Sequence, residues 1–509
     1  MTDPPAPLLR VHGGSVADAL DPAAVRGLAS GDLARWLVTR RWFGAKGRPP
    51  ADARITEVIP VRWGGDRAVV TRLLTTDAAG TQQSYQLPLV AREGEPNDER
   101  AAGAVLARIA ADREHGVLMD ALEDPGFRAR LGKSLGAGAV FEGDGARWTI
   151  EPVGVPTTGL DALDTAVSRA EQSNTSVRYG DRAMLKLFRR LEHGEHPDVE
   201  IGTFLTTRTT FQHTPSVLGV MHYCDAAGAT YVTGMLSRFV IGARDGWAIA
   251  LDEARAALRS ARADGAASFA SEASRIGRMT RDLHAALASS PDTPGFRTDP
   301  VSLGDAEHWQ DTARRAIEDA LTLLAERADT LPKSSQAMAR AIAGRRAAAL
   351  ERLDHVAVRV RASIETGGAG MLRKTRHHGD YHLGQLLRGE KGVWFIVDFE
   401  GEPSRPLSER RGLSSPLRDV AGMLRSFAYA AATAAAERGA LGVDANTEIA
   451  AAHWERDARA AFLAGYDASA DDPLVALFEM EKLFYELRYE LNNRPEWVWI
   501  PLRGIARLF

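Results

Sequence analysis

The hydrophobic period of this chain changes once, near residue 240, and that change limits the folds open to it. Before it, short apolar and β-branched runs broken by Gly, Pro and Asp recur at Ile55–Val61, Ala68–Leu74 and Tyr85–Val90, the pattern of a small antiparallel sheet. Leu33, Trp36 and Leu37 recur at helical spacing ahead of that sheet, predicting a helix over Asp32–Arg41, with Ser30 and Asp32 as capping residue types. Between Asn97 and Val240 the pattern is mixed. Helices are expected over Asp98–Arg113 and Pro197–Thr206, and strands over Trp148–Pro152, Ser176–Tyr179, Ala183–Phe188 and Thr230–Val240. From Asp245 onward almost everything reads as helix, except a strand–loop–strand stretch at Thr375–Glu400 and the irregular Gly401–Pro416. The expected class is α+β, with a β-rich part leading into a helical one, in three segments: 1–95, 96–240 and 241–509.

Composition narrows the partners. The formal net charge of −4 over 509 residues gives no reason to expect nucleic acid or an anionic membrane. A single cysteine, Cys224, excludes an intramolecular disulfide and a Cys-rich metal site, as suits a reducing compartment. The opening MTDPPAPLLRVHGG has prolines where a secretory signal carries a basic patch and an apolar core. No apolar run approaches the roughly 20 residues that cross a bilayer. These features predict a cytoplasmic protein without nucleic-acid or membrane partners.

The chemistry concentrates in His378-Gly-Asp-Tyr-His-Leu-Gly-Gln385 and Val393-Trp-Phe-Ile-Val-Asp-Phe-Glu400. Asp380 follows a glycine in a polar loop, and Gln385 lies five residues on. The second run is apolar until Asp398, so a buried strand delivers a carboxylate at its end. Two carboxylates and an amide form an oxygen-rich site of the kind Mg²⁺ prefers. The same order serves phosphoryl transfer in protein kinases, where one Asp receives the proton of the attacking hydroxyl and an amide and a second Asp hold metal on the phosphates. The plainer alternative, a capped turn and a strand end, explains any one of these residues but not the ordered set.

Upstream, Glu171-Gln-Ser-Asn-Thr-Ser-Val177 is a short polar stretch whose hydroxyls and backbone N–H groups suit an anion; Ser173, Asn174, Thr175 and Ser176 are the candidates. Lys186 stands mid-strand among apolar residues, where an ammonium is costly without a partner, and Glu200 is the expected partner. The alternatives are an ordinary β-turn and a lysine reaching out to water. Neither a G-x-G-x-x-G nor a Walker A sequence occurs.

With these residues assembled, the chain resembles maltokinases, within the aminoglycoside-phosphotransferase-like, eukaryotic-kinase-like group. The resemblance is carried by Arg41-Trp-Phe-Gly-Ala-Lys46, Glu171–Ser176, Leu185–Arg190, Pro197–Glu200, His378–Gln385, Asp398-Phe-Glu-Gly-Glu-Pro403, Ser415–Ser426 and Asn493–Pro501. It implies a bilobal protein-kinase-like fold with an N-terminal β-rich cap and a mostly helical C-lobe. It also implies ATP and Mg²⁺ as cofactors, and maltose converted to maltose 1-phosphate with Asp380 as base, Gln385 and Asp398 as metal ligands and Lys186 on phosphate. Any trehalose synthase partner is expected as a separate chain. Tyr381 departs from the pattern, which has Leu there, and so does Gly412–Leu413.

For the sugar, the expected contacts are His382, Arg405, Glu486 and Tyr489. The last two share a helix face with Asn493 by i, i+3, i+7 spacing. The competing expectation is that the tyrosines are core and the glutamates pair with Lys482, Arg488 and Arg494. Arg418–Asp419 reads as a brace beneath the catalytic loop, Arg41–Lys46 as a lock on the cap, and His284 as a satisfied helix histidine. Two other functions remain open: a kinase for glucosamine or another small sugar or aminoglycoside, and an inactive kinase-shaped scaffold.

Overall fold

A computed structural model describes residues 6–11, 14–44, 50–96, 99–168, 173–260, 266–366, 372–439 and 445–509. The chain forms two compact units, one of Met1–Arg208 with Pro215–Ile241 and one of Thr209–Thr214 with Gly242–Phe509.

The first unit is built on β1 (Leu8–Arg10), β2 (Asp52–Trp63), β3 (Asp66–Thr76), β4 (Gln82–Glu93), β5 (Val105–Ala110), β6 (His115–Asp120), β7 (Ala139–Gly143), β8 (Ala146–Pro152), β9 (Thr165–Val167), β10 (Asn174–Tyr179), β11 (Ala183–Phe188), β12 (Arg190–Leu191), β13 (Val217–Cys224) and β14 (Thr230–Arg238). One sheet runs β1-β5-β6-β4-β3-β2, with β12 also paired to β4; the other runs β7-β8-β13-β14-β11-β10-β9. The first sheet is covered on both faces, so β4 is buried almost continuously. Tyr85, Leu87, Leu89 and Ala91 pack towards the N-terminal helices. Val90 points the other way, into a core shared with Trp148, Val177 and Leu185 of the second sheet. Period-two alternation explains that split.

Several sequence expectations need correction here. The helix expected over Asp98–Arg113 is a short one, Glu99–Gly103, followed by β5; Asp98 itself lies outside the described residues. Pairing with β1 and β6 overrides the local helical pattern, because Leu106 and Ile109 gain burial in the sheet. Asn174–Ser176 belong to β10 and not to a turn, paired with Lys186–Phe188 of β11. The helix expected over Asp32–Arg41 spans Ser30–Val38, after a short helix at Pro22–Arg26, and the Thr39 hydroxyl at its end donates to the Trp36 carbonyl.

The second unit is helical. Long helices Leu303–Arg327, Arg346–Glu365 and Pro473–Asn493 share one core, and Ala266–Leu287, Leu417–Gly439 and Ala445–Tyr466 pack beside them. Small sheets interrupt them, one pairing Arg244–Asp245, Leu386–Arg388 and Trp394–Ile396, another pairing Asp299–Pro300 with Arg373–Lys374. Among the described residues no helix is long and apolar enough to cross a membrane.

Candidate active site

In the first unit, Lys186 of β11 lies directly opposite Ser176 of β10. Paired residues share a face, and Asn174, two residues from Ser176, shares it too. Lys186 Nζ meets Asp198 Oδ2 at 3.1 Å. Asp198 is buried in the first turn of helix Pro197–Arg208, where the helix dipole favours a carboxylate. Sequence reasoning did not single it out; Glu200 stands in the same turn. Thr175 points to the opposite face, and its hydroxyl accepts from Arg189 Nε at 2.9 Å. That arginine is fully buried, with Nη2 on Asp120 at 2.6 Å and its guanidinium 4.7 Å from the Trp42 ring centre. Thr175 is thereby committed to the fold, while the described part of the Arg41–Lys46 motif sends Trp42 and Phe43 into the core. Ala45, Lys46, Glu171 and Gln172 lie outside the described residues.

In the second unit, the loop bearing Asp380 is tied down through its backbone. Asp419 Oδ2 accepts from the His378 N–H at 2.7 Å, and Oδ1 from the Gly379 N–H at 2.9 Å. His284 Nε2 reaches Asp419 at 2.9 Å, and its Nδ1 meets the Tyr466 hydroxyl at 2.8 Å. Burial pushes the Asp419 carboxyl up, but His284 and its charged surroundings outweigh that and hold it well below the usual carboxylate range. The brace expected from Arg418–Asp419 is thus made by Asp419. Tyr381, the departure from the family pattern, is buried with its hydroxyl 2.8 Å from that of Thr280. Gly422 lets helix Leu417–Gly439 approach: a Cβ there would stand 2.5 Å from the Tyr381 carbonyl.

The Asp398 loop is clasped to the Asp380 loop. Val397 N–H donates to the Gln385 carbonyl at 3.0 Å, and His378 Nε2 meets the Val397 carbonyl at 3.0 Å. The Phe399 and His378 rings lie 5.0 Å apart, and a Cβ at Gly379 would come within 3.2 Å of Gly401 Cα. Asp398 holds φ = 69°, a left-handed conformation that a non-glycine residue adopts at a cost and that recurs at functional sites. Asp380 and Asp398 therefore sit on adjoining loops of one rigid cluster.

Asp380 lines a cavity of about 570 Å³ within this unit, in the range of small-molecule pockets. One face of helix Pro473–Asn493 forms part of its wall through Phe478, Glu481, Lys482, Tyr485 and Arg488. Lys482 Nζ meets Asp380 Oδ1 at 3.1 Å. Burial pushes Asp380 up, but Lys482 and His382 overcome it and keep the carboxyl below its ordinary value. Arg405 lines the cavity, bonded to Glu402 at 3.1 Å and Glu481 at 2.8 Å.

The other expected sugar contacts are not in this wall. His382 caps the turn Leu383–Gln385, its Nδ1 accepting from the Gly384 N–H at 3.1 Å. Glu486 is buried on another face of its helix against Arg425, at 2.8 Å. Tyr489 is exposed, its ring stacked on Tyr485 and under Arg494. The i, i+3, i+7 face of this helix does not line the cavity. An i, i+4, i+7 set at Phe478, Lys482 and Tyr485 was equally present, and nothing local distinguishes the two.

Comparison with known proteins defines the fold. A glucosamine kinase solved with glucosamine, ADP and inorganic phosphate matches with a TM-score of 0.63, covering 95% of this chain and 98% of that one at 20% identity. A second crystal form of a glucosamine kinase matches with the same score at 22% identity. The fold is kinase-like and α+β, with a β-rich amino-terminal part and a helical carboxy-terminal part, as the sequence led one to expect. Residues 36–124 match the maltokinase N-terminal cap domain. Among curated relatives, the glucosamine kinase of Mycolicibacterium smegmatis is 26% identical over 66% of this chain and 78% of its own length. That of Streptacidiphilus jiangxiensis is 25% identical over 65% and 70%.

Proposed function

We propose that this chain is an ATP-dependent sugar kinase that phosphorylates maltose at its reducing-end hydroxyl, giving maltose 1-phosphate. The observation that carries the reading is the Asp380 carboxylate in the wall of a polar cavity, on a loop locked to that of Asp398. In this reading Asp380 orients the sugar hydroxyl and takes its proton as the oxygen–phosphorus bond forms and ADP leaves. Its lowered pKa keeps it ionised at neutral pH and makes it a weak base. A loose phosphoryl-transfer transition state asks for orientation more than basicity. Lys186, with Ser173, Asn174 and Ser176 beside it, serves the nucleotide phosphates, and Glu200 with Asp198 steadies the lysine. The hard oxygens of Asp398 and Gln385 and the strained backbone at Asp398 fit Mg²⁺, which would neutralise phosphate charge. Arg405 faces the sugar. The same reading places the enzyme in the cytoplasm.

Glucosamine is the second acceptor to consider, because the curated relatives matched here are glucosamine kinases. Coupled ADP release with maltose, glucose, glucosamine and an aminoglycoside decides between them. Highest kcat/KM on maltose supports the reading; a preference for glucosamine replaces the acceptor. ATP binding without turnover on any sugar points to a scaffold.

A further inference from the structure

Each carboxylate at the Asp380 end of the cavity already has a cation. Lys482 lies on Asp380 at 3.1 Å. Arg405 lies on Glu402 at 3.1 Å and continues to Glu481 at 2.8 Å, and Glu481 is shared with Arg418 at 3.0 Å. Consecutive residues of one helix thus set the balance: Glu481 holds the arginine that neutralises Glu402, and Lys482 neutralises Asp380. Burial pulls Lys482 down, but Asp380 and Glu402 more than offset it, and the ammonium stays charged. No unneutralised carboxylate awaits a cationic ligand there, and a second ammonium near Asp380 would meet that of Lys482 in a poorly solvated wall. One group does await a ligand. Glu402 is 6% exposed; Arg405 holds its Oε2 and the Tyr485 hydroxyl lies beside the carboxylate, but among the described residues its Oε1 has no hydrogen-bond partner. Such an atom is costly to bury unless a donor arrives.

We infer that Lys482 selects an uncharged acceptor and that Glu402 Oε1 accepts a hydroxyl hydrogen of that acceptor. This rests on the sugar-kinase reading and sharpens it: the substrate class is a neutral sugar, and amino sugars are excluded by charge rather than by size. Glucose and glucosamine differ only in the hydroxyl or ammonium at C2, so they isolate the effect.

The test measures binding of each to the full-length protein with ADP present, by calorimetry, and kcat/KM by coupled ADP release. Wild type is expected to prefer glucose by about tenfold or more in both, the scale of a like-charge contact in a partly buried site. Lys482→Gln should narrow that ratio about tenfold whatever the absolute rates, and Lys482→Arg should keep it. Glu402→Gln should weaken both sugars alike. Equal or tighter binding of glucosamine to wild type overturns the inference while leaving a sugar kinase standing. So does an unchanged ratio in folded Lys482→Gln, and the wild-type comparison decides even if that variant does not fold. No ADP release with any sugar is the distinct outcome that removes the kinase reading itself.

Discussion

Lys186 in the first unit and Lys482 in the second each hold a carboxylate at 3.1 Å, yet their surroundings differ. Lys186 interrupts Ala183-Met-Leu-Lys-Leu-Phe188, a strand whose neighbours are buried, against an aspartate that is 3% exposed. Lys482 sits in Glu479-Met-Glu-Lys-Leu-Phe-Tyr-Glu486 on a helix packed on most sides, and its partner Asp380 keeps 22% of its side chain open to the cavity. In a strand, a charge among apolar residues announces that it needs a partner. In a helix, a lysine among glutamates looks like a solvated face, and only the neighbours reveal that it is not. The closed pair holds its lysine in a fixed place, as the proposed phosphate contact requires; the open one borders the cavity.

The comparison can be broken at both ends. The largest effect is expected at the open pair: Asp380→Asn should lower kcat by about 10²–10⁴-fold with nucleotide affinity nearly unchanged. Single-turnover kinetics and nucleotide titration measure the two separately, and full turnover in that variant removes the base. Next comes the support beneath the loop. Asp419→Ala leaves two buried N–H groups and His284 without their acceptor, and should lower unfolding stability by about 3–5 kcal/mol in denaturant titration. Since folding depresses the Asp419 pKa, its contribution is complete above its unfolded value of about 3.9 and is lost as pH falls below it. Wild type should therefore lose this increment on acidification, and the variant should not.

At the closed pair, Lys186→Gln should raise the KM for ATP about 10–100-fold, the scale of one charge-assisted hydrogen bond, and leave the sugar KM alone. A shift in the sugar KM instead would erase the distinction drawn between the two lysines. The smallest effect is at the exposed face. Tyr489→Ala should change stability by less than about 0.5 kcal/mol and leave both KM values as they were.

The residues of the proposed site in the second unit stand out in the sequence because they are local. His378, Gly379, Asp380 and Gln385 lie within one loop, and the run ending at Asp398 is short and apolar. The strands of the first sheet were legible for the same reason: alternation and turn residues act over a few positions. The reading failed where one segment's conformation depends on another. Val105–Ala110 carries a helix-compatible pattern until β1 and β6 flank it. Asn174–Ser176 is polar enough for a turn until β11 pairs with it.

The sequence by itself determined which acids exist, in what order, and that a β-rich region leads into a helical one, since those follow from short-range pattern. Tertiary structure alone decided which face of Pro473–Asn493 lines the cavity, that Lys482 meets a residue 102 positions away, and that Glu481 meets Arg405 across 76. A helix repeats its faces every few residues, and which of them is buried against what is settled by packing with partners distant in the chain.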